Sequence, residues 1–205
     1  MKWKSNFIFS SLIMLFLFST FLFSTCPNGS QTAIRYLTVG GCEYKVEICY
    51  TCNLTSPNNV EIFSFAKTNP SCDPGMNINQ VYENLNNQIH TSIFLNELCG
   101  LPGPCDQYPG GMWWTFAEDM CWQKELIQYN NQNIIIYFPC NLVNVICYEN
   151  HRICWDPSIP GFVDLLMQGP EISGDFNCAG MLEPPDPTEL NQPSACFFIV
   201  TPCYP

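Results

Sequence analysis

The sequence predicts an α+β, β-rich domain: β-hairpins around one helical segment at about 78–99, secreted and stabilised by disulfides. Three observations predict it. Fourteen cysteines stand among 205 residues, a density that belongs to oxidising compartments. They follow an apolar N-terminal run, 7–23, headed by Lys2 and Lys4, which has the charged start and apolar core of a secretory signal. Beyond it, apolar residues recur mostly with the period of a strand and in one segment with that of a helix.

Residues 1–25 are therefore expected to be removed as a signal peptide. Phe23 fits poorly at the third position before a cut after Thr25. The run also approaches the ~20 residues that span a bilayer, so retention as an anchor is the competing reading. Cys26 stands where a lipoprotein cysteine would sit, but Thr25 replaces the small residue expected before such a cysteine, and a disulfide is the simpler fate. Residues 26–205 are expected to form a single cysteine-rich extracellular domain.

Loss of the two N-terminal lysines leaves five of the seven Lys and Arg against 18 Asp and Glu, a formal charge of −13. Such a field repels phosphate backbones and anionic headgroups. It argues against nucleic acid as a partner, and leaves membrane attachment only to the N-terminal segment, if retained or lipidated. Hydrophobic residues make up 47% of the chain, so burial supplies a core that the disulfides supplement.

The elements follow in order. Residues 33–52 are two β-branched and aromatic runs joined by Gly40-Gly41, the two-residue hairpin signal. Tyr44, Val46, Ile48 and Tyr50 fall on one face of the second run; Glu43, Lys45 and Glu47 fall on the other. From Asn77 the period becomes helical: Ile78, Val81, Tyr82, Leu85 and Ile89 share a face, Asn77 and Gln80 offer a capping pair, and Gly100 with Pro102 supplies the stop. His90-Thr91-Ser92 is expected to break this helix in two.

Residues 112–129 fit a capping box at Thr115 and Glu118 or an alternating strand, and strand is preferred from Cys121 onward. The preference comes from a turn cluster at 130–133 that leads into Ile134-Ile135-Ile136-Tyr137-Phe138, a strand by composition that needs a partner. A second hairpin is expected over 141–155, turning near Asn150, which would set Cys147 opposite Cys154 and let them bridge. Residues 195–201 read as a last short strand. The Pro-rich, acidic stretch 169–194 reads as a long surface loop. Cys42-x6-Cys49-Tyr50 recurs as Cys140-x6-Cys147-Tyr148, an echo that would mark two related β units if it reflects duplication.

Disulfides are expected at Cys42, Cys49, Cys52, Cys72, Cys99, Cys105, Cys121, Cys140, Cys147, Cys154, Cys178, Cys196 and Cys203. Cys49-Tyr50-Thr51-Cys52 has the spacing of a redox site but lacks the helix start that activates such a thiol. Zinc would need further reduced ligands, and Asp156, Asp164, Glu171 and Asp175 match no calcium loop; no metal or cofactor is expected. Asn28 and Asn53 begin glycosylation sequons, usable only in a eukaryote. His90 and His151 sit in no catalytic motif.

Two constellations remain. Gly110-Gly111-Met112-Trp113-Trp114, with Trp122, offers aromatic groups on a freed backbone. Trp113 and Trp114 are expected to point in opposite directions, one buried and one exposed. Glu118 and Asp119 beside these indoles resemble the carboxylate pair of a sugar-cleaving site. The resulting expectation is a non-catalytic secreted or cell-surface protein with a structural or adhesive role, whose partner is an extracellular glycan, a protein or a second copy, bound through Trp113, Trp114 and Trp122. The alternative is a secreted, glycosidase-like hydrolase using Glu118 and Asp119.

Overall fold

The computed structural model describes residues 26–53, 57–106, 110–140, 145–159, 161–175, 178 and 180–203. The N-terminal signal-like segment lies outside the described residues, as do Leu54 and Thr55 of the Asn53 sequon. The described elements are β1 (Gln31–Val39), β2 (Cys42–Thr51), β3 (Asn58–Lys67), α1 (Ile78–Ile89), α2 (Ser92–Cys99), β4 (Met112–Asp119), β5 (Cys121–Tyr129), β6 (Gln132–Pro139), β7 (Ile146–Trp155), β8 (Phe162–Ser173) and β9 (Phe197–Phe198). The chain is a disulfide-rich, β-dominated α+β fold with two short helices.

All nine strands join one sheet that forks at β3. One edge of β3 pairs with β2 of the β1–β2 hairpin. The other edge pairs parallel with β4 at 58–60 and antiparallel with β6 at 65–66. One branch continues through β4 to β7 and β8, the other through β6 to β5 and β9. Both tight turns are where the sequence puts them. Gly40 and Gly41 have positive φ, and so do Asn130 and Asn131 (49° and 62°), the left-handed pair that lets a two-residue turn follow the strand twist.

The helical segment breaks as expected. Asn77 accepts from the Gln80 amide while the Gln80 side chain accepts from the Asn77 amide, a complete capping box, and Thr91 caps α2. Val81, Tyr82, Leu85 and Ile89 of α1 pack on one face of the sheet against Val46, Ile48, Ile62, Phe65, Trp114 and Phe116. Phe65 is the centre of this layer, with ring centroids 4.9 Å from Tyr137, 5.4 Å from Trp122 and 6.1 Å from Tyr82.

All fourteen cysteines are bridged: Cys26–Cys49, Cys42–Cys72, Cys52–Cys99, Cys105–Cys154, Cys121–Cys178, Cys140–Cys196 and Cys147–Cys203. Cys49 and Cys52 therefore serve different bridges and make no redox pair. The Cys26 sulfur is committed to Cys49, which leaves none for a lipid thioether.

The second hairpin is corrected. Residues 146–155 form a single strand whose ladder with β4 runs without a break from Asp119↔Ile146 to Met112↔Ile153. Asn150, taken for a turn residue, instead accepts a hydrogen bond from the Thr115 hydroxyl at 2.7 Å. Cys147 and Cys154 thus lie seven residues apart on one extended strand, ~23 Å at ~3.3 Å per residue, and cannot meet. The duplication reading loses its basis too: Cys42 and Cys49 share one strand, whereas Cys140 follows β6 and Cys147 lies in β7.

The stretch 169–194 is also not simply a loop, since β8 extends to Ser173. Residues 180–194 form a strap held on β5. Lys124 is buried, and its Nζ donates to Glu183 Oε1 at 2.8 Å and Asp186 Oδ1 at 2.6 Å. Tyr137 donates to the same Glu183 oxygen at 2.9 Å, and Ser194 bonds the Lys124 backbone in both directions. The acids of this stretch neutralise a cation that would otherwise be too costly to bury.

Candidate functional site

The consecutive indoles Trp113 and Trp114 lie on β4, and the extended backbone sends them to opposite faces. Trp114 is 1% exposed in the core beneath the helices, while Trp113 is 38% exposed on the face turned away from them. Gly111 makes this approach of β4 to β7 feasible. Its φ is +87°, and a Cβ there would come 2.7 Å from the Ile153 carbonyl oxygen and 2.8 Å from Cys154 Cβ, so any other residue would be strained and would clash. Trp122 is fully buried against Phe65 and Tyr82. Trp114 and Trp122 are therefore corrected to core residues; among the three indoles only Trp113 offers a surface.

Directly opposed residues of an antiparallel ladder share a face, so the registers define what surrounds Trp113. Its row is Trp113, Arg152 and Leu165; the next is Thr115, Asn150 and Gln168; the third places Tyr148 opposite Glu171. The side chains on this face are fixed by one another. Arg152 donates from Nε to the Gly110 carbonyl (2.6 Å) and from Nη2 to that of Cys105 (3.1 Å). Glu171 accepts from Tyr148 at 2.7 Å and from Gln168 at 2.8 Å, bonds that hold its carboxyl below the usual range. The result is a sheet face with one exposed indole beside an ordered set of amide, hydroxyl, carboxylate and guanidinium groups.

The helix-facing side brings together what the sequence keeps far apart. His90 at the end of α1 stacks on Phe116 of β4 at 4.1 Å, and Phe116 stacks on His151 of β7 at 4.3 Å. His151 Nδ1 lies 2.7 Å from Asp164 Oδ1 on β8, and its Nε2 lies 3.4 Å from Glu149 Oε2. Burial alone would lower the His151 pKa, but the Asp164 and Glu149 carboxylates outweigh it and hold the ring above its usual value. Beside this stack lies Glu118, pushed up to about 8 chiefly by burial and then by the Glu149 charge.

This cluster resembles catalytic machinery in composition but not in arrangement. Both nitrogens of His151 face carboxylates, no hydroxyl or thiol is among their partners, and every cysteine is oxidised. Among the described residues, no three His, Cys, Asp or Glu are placed to hold a metal. Glu118 and Asp119, adjacent on β4, project to opposite faces. Asp119 senses Glu61 rather than Glu118, and burial followed by the Glu61 charge raises it to about 7. Alternation along β4 therefore sets the two acids of the hydrolase reading on different faces of the strand.

No protein-family model, characterised protein or solved structure matches this chain.

Proposed function

We propose that this chain is a secreted, non-catalytic recognition protein that binds neutral glycan on the outer face of β4, β7 and β8. The observation that carries the reading is the exposed indole of Trp113 set among hydrogen-bonded polar side chains on the same sheet face. An indole is amphipathic and rigid, so it offers apolar area to the C–H face of a sugar ring at low entropic cost. Amides, carboxylates and guanidinium groups supply paired donors and acceptors suited to neighbouring hydroxyls. Neutral sugars are favoured over acidic ones because the protein's own charge is strongly negative. Seven disulfides, with no helix among the described residues long and apolar enough to cross a membrane, are compatible with an extracellular setting.

Titrating the domain with a panel of neutral oligosaccharides, followed by amide chemical shifts and calorimetry, tests this. Trp113→Ala is expected to abolish binding at a smaller cost in stability than a core truncation, since the indole is 38% exposed and only partly packed on the sheet. Trp114→Ala is expected to cost about 3–5 kcal/mol of stability, as large core truncations do. A panel in which no neutral sugar perturbs Trp113, or a Trp113→Ala protein that binds as well as the parent, would overturn the reading.

A further inference from the structure

β8 ends one branch of the sheet, and among the described residues no strand pairs with its outer edge. Every second residue along such an edge presents a backbone N–H and C=O to whatever lies alongside. Protein edges are usually blunted by lysine, proline or bulges, and β8 runs in regular register only from Phe162 to Leu166. The register shifts against β7 fall between Leu166 and Gln168 and between Gln168 and Glu171, the proline is Pro170, and the Cys203 sulfur lies 3.1 Å from the Glu171 carbonyl oxygen. Residues 162–168 carry no basic side chain. Five of these seven are apolar, and Leu165, Leu166 and Met167 are 41%, 53% and 49% exposed.

We propose that this edge accepts an extended, cationic segment of a partner protein as an additional strand. The charge along it decides between occupants. Asp164, whose side chain stays 41% exposed beside His151, and Glu171, held by Tyr148 and Gln168, lie on β8, Asp175 follows it, and Glu149, also beside His151, stands on neighbouring β7. The only basic side chain on β7 or β8 besides the His151 imidazole is Arg152, which is tied to two backbone carbonyls. A second copy would bring the same acids against these, in a chain whose acids outnumber its bases by more than two to one, and like charges opposed across a ladder are destabilising. A strand alternating apolar and basic residues satisfies the edge, covers the exposed leucines and pairs with the acids.

The probe is a capped heptapeptide of alternating lysine and valine, added to the full disulfide-bonded chain at low salt. Amides within 162–168 are expected to gain about tenfold protection from hydrogen exchange. The matching glutamate–valine peptide is expected to bind at least about tenfold more weakly, and a peptide N-methylated at every residue, which lacks the backbone donors, not at all. Trp113→Ala is expected to leave peptide binding intact, which separates this edge from the glycan face. Three results would overturn the proposal: no protection in 162–168, equal binding of the glutamate peptide, or protection that rises with protein concentration alone, which would assign the edge to a second copy.

Discussion

Unfolding at pH 5 is expected to require several kcal/mol more than at pH 8, the reverse of ordinary acid destabilisation. Three carboxyls are raised, chiefly by burial: Glu118 to about 8, Glu61 to about 7 and Asp119 to about 7. In the unfolded chain each ionises near pH 4, so above that pH the folded state holds protons the unfolded state has released. A raised acid contributes its full stabilisation below the unfolded pKa and loses it as pH climbs to the folded one. Each unit of difference is worth about 1.4 kcal/mol per group. His151, also raised, acts in the same direction. His90 opposes them: burial lowers it to about 3, so its contribution is full above the unfolded value near 6.5 and fades as pH falls below that. Three acids and one histidine outweigh one histidine, and by about pH 8 His90 is neutral in both states.

Glu118→Gln isolates the largest of these contributions. The amide is neutral at every pH, so the variant is expected to be more stable than the parent at pH 8, nearly equal to it at pH 5, and less steep between. A structural reason supports tolerance of the amide. Tyr82, Asn86 and His90 form a stripe along the buried side of α1, and among the described residues Asn86 Oδ1 and His90 Nε2 have no hydrogen-bond partner. A protonated Glu118, or a glutamine, brings a donor to this set that an ionised carboxylate cannot. Chemical denaturation at pH 5, 6.5 and 8 decides it. A midpoint that is flat over this range, or a variant destabilised equally at all three, would show that these carboxyls are ionised in the fold.

The parts of the fold legible in the sequence are those where local chemistry and tertiary packing agree. Gly40-Gly41 and Asn130-Asn131 turn because their residues tolerate positive φ, and α1 begins at Asn77 because its cap is complete within four residues. The strands that escaped have signals erased by packing. β3 is buried on both faces, so it shows no alternation and its Glu61 and Ser64 read as breaks. β8 passes through Gly169-Pro170, where Gly169 has φ +109° against the Tyr148 carbonyl, and a breaker pair there looks like the start of a loop. The opposed orientation of Trp113 and Trp114 followed from strand geometry alone. The stack of His90, Phe116 and His151 did not, because three elements distant in sequence build it and none carries a motif.

Removing the Cys147–Cys203 bridge is expected to cost about 4 kcal/mol, and more than removing Cys26–Cys49. Three of the seven bridges, Cys121–Cys178, Cys140–Cys196 and Cys147–Cys203, tie the segment after β8 back to the sheet, each across 56 or 57 residues. Closing a loop of that length limits the unfolded chain by about 4 kcal/mol, against about 3.4 kcal/mol for the 23 residues between Cys26 and Cys49. Packing does not separate the two pairs, because each joins a buried cysteine, Cys147 or Cys49, to a half-buried one, Cys203 or Cys26, so the ranking rests on loop length. With one tie lost, the strap keeps its Lys124 ion pairs and two other bridges, so the damage should stay local. Hydrogen exchange in Cys147→Ser/Cys203→Ser is expected to accelerate first near β9 and the C-terminal end of β8, with the amides of α1 and β2 changing only with global stability. Equal denaturation midpoints for this variant and Cys26→Ser/Cys49→Ser would refute the ranking, and uniform acceleration of exchange would show that the strap unfolds only with the sheet.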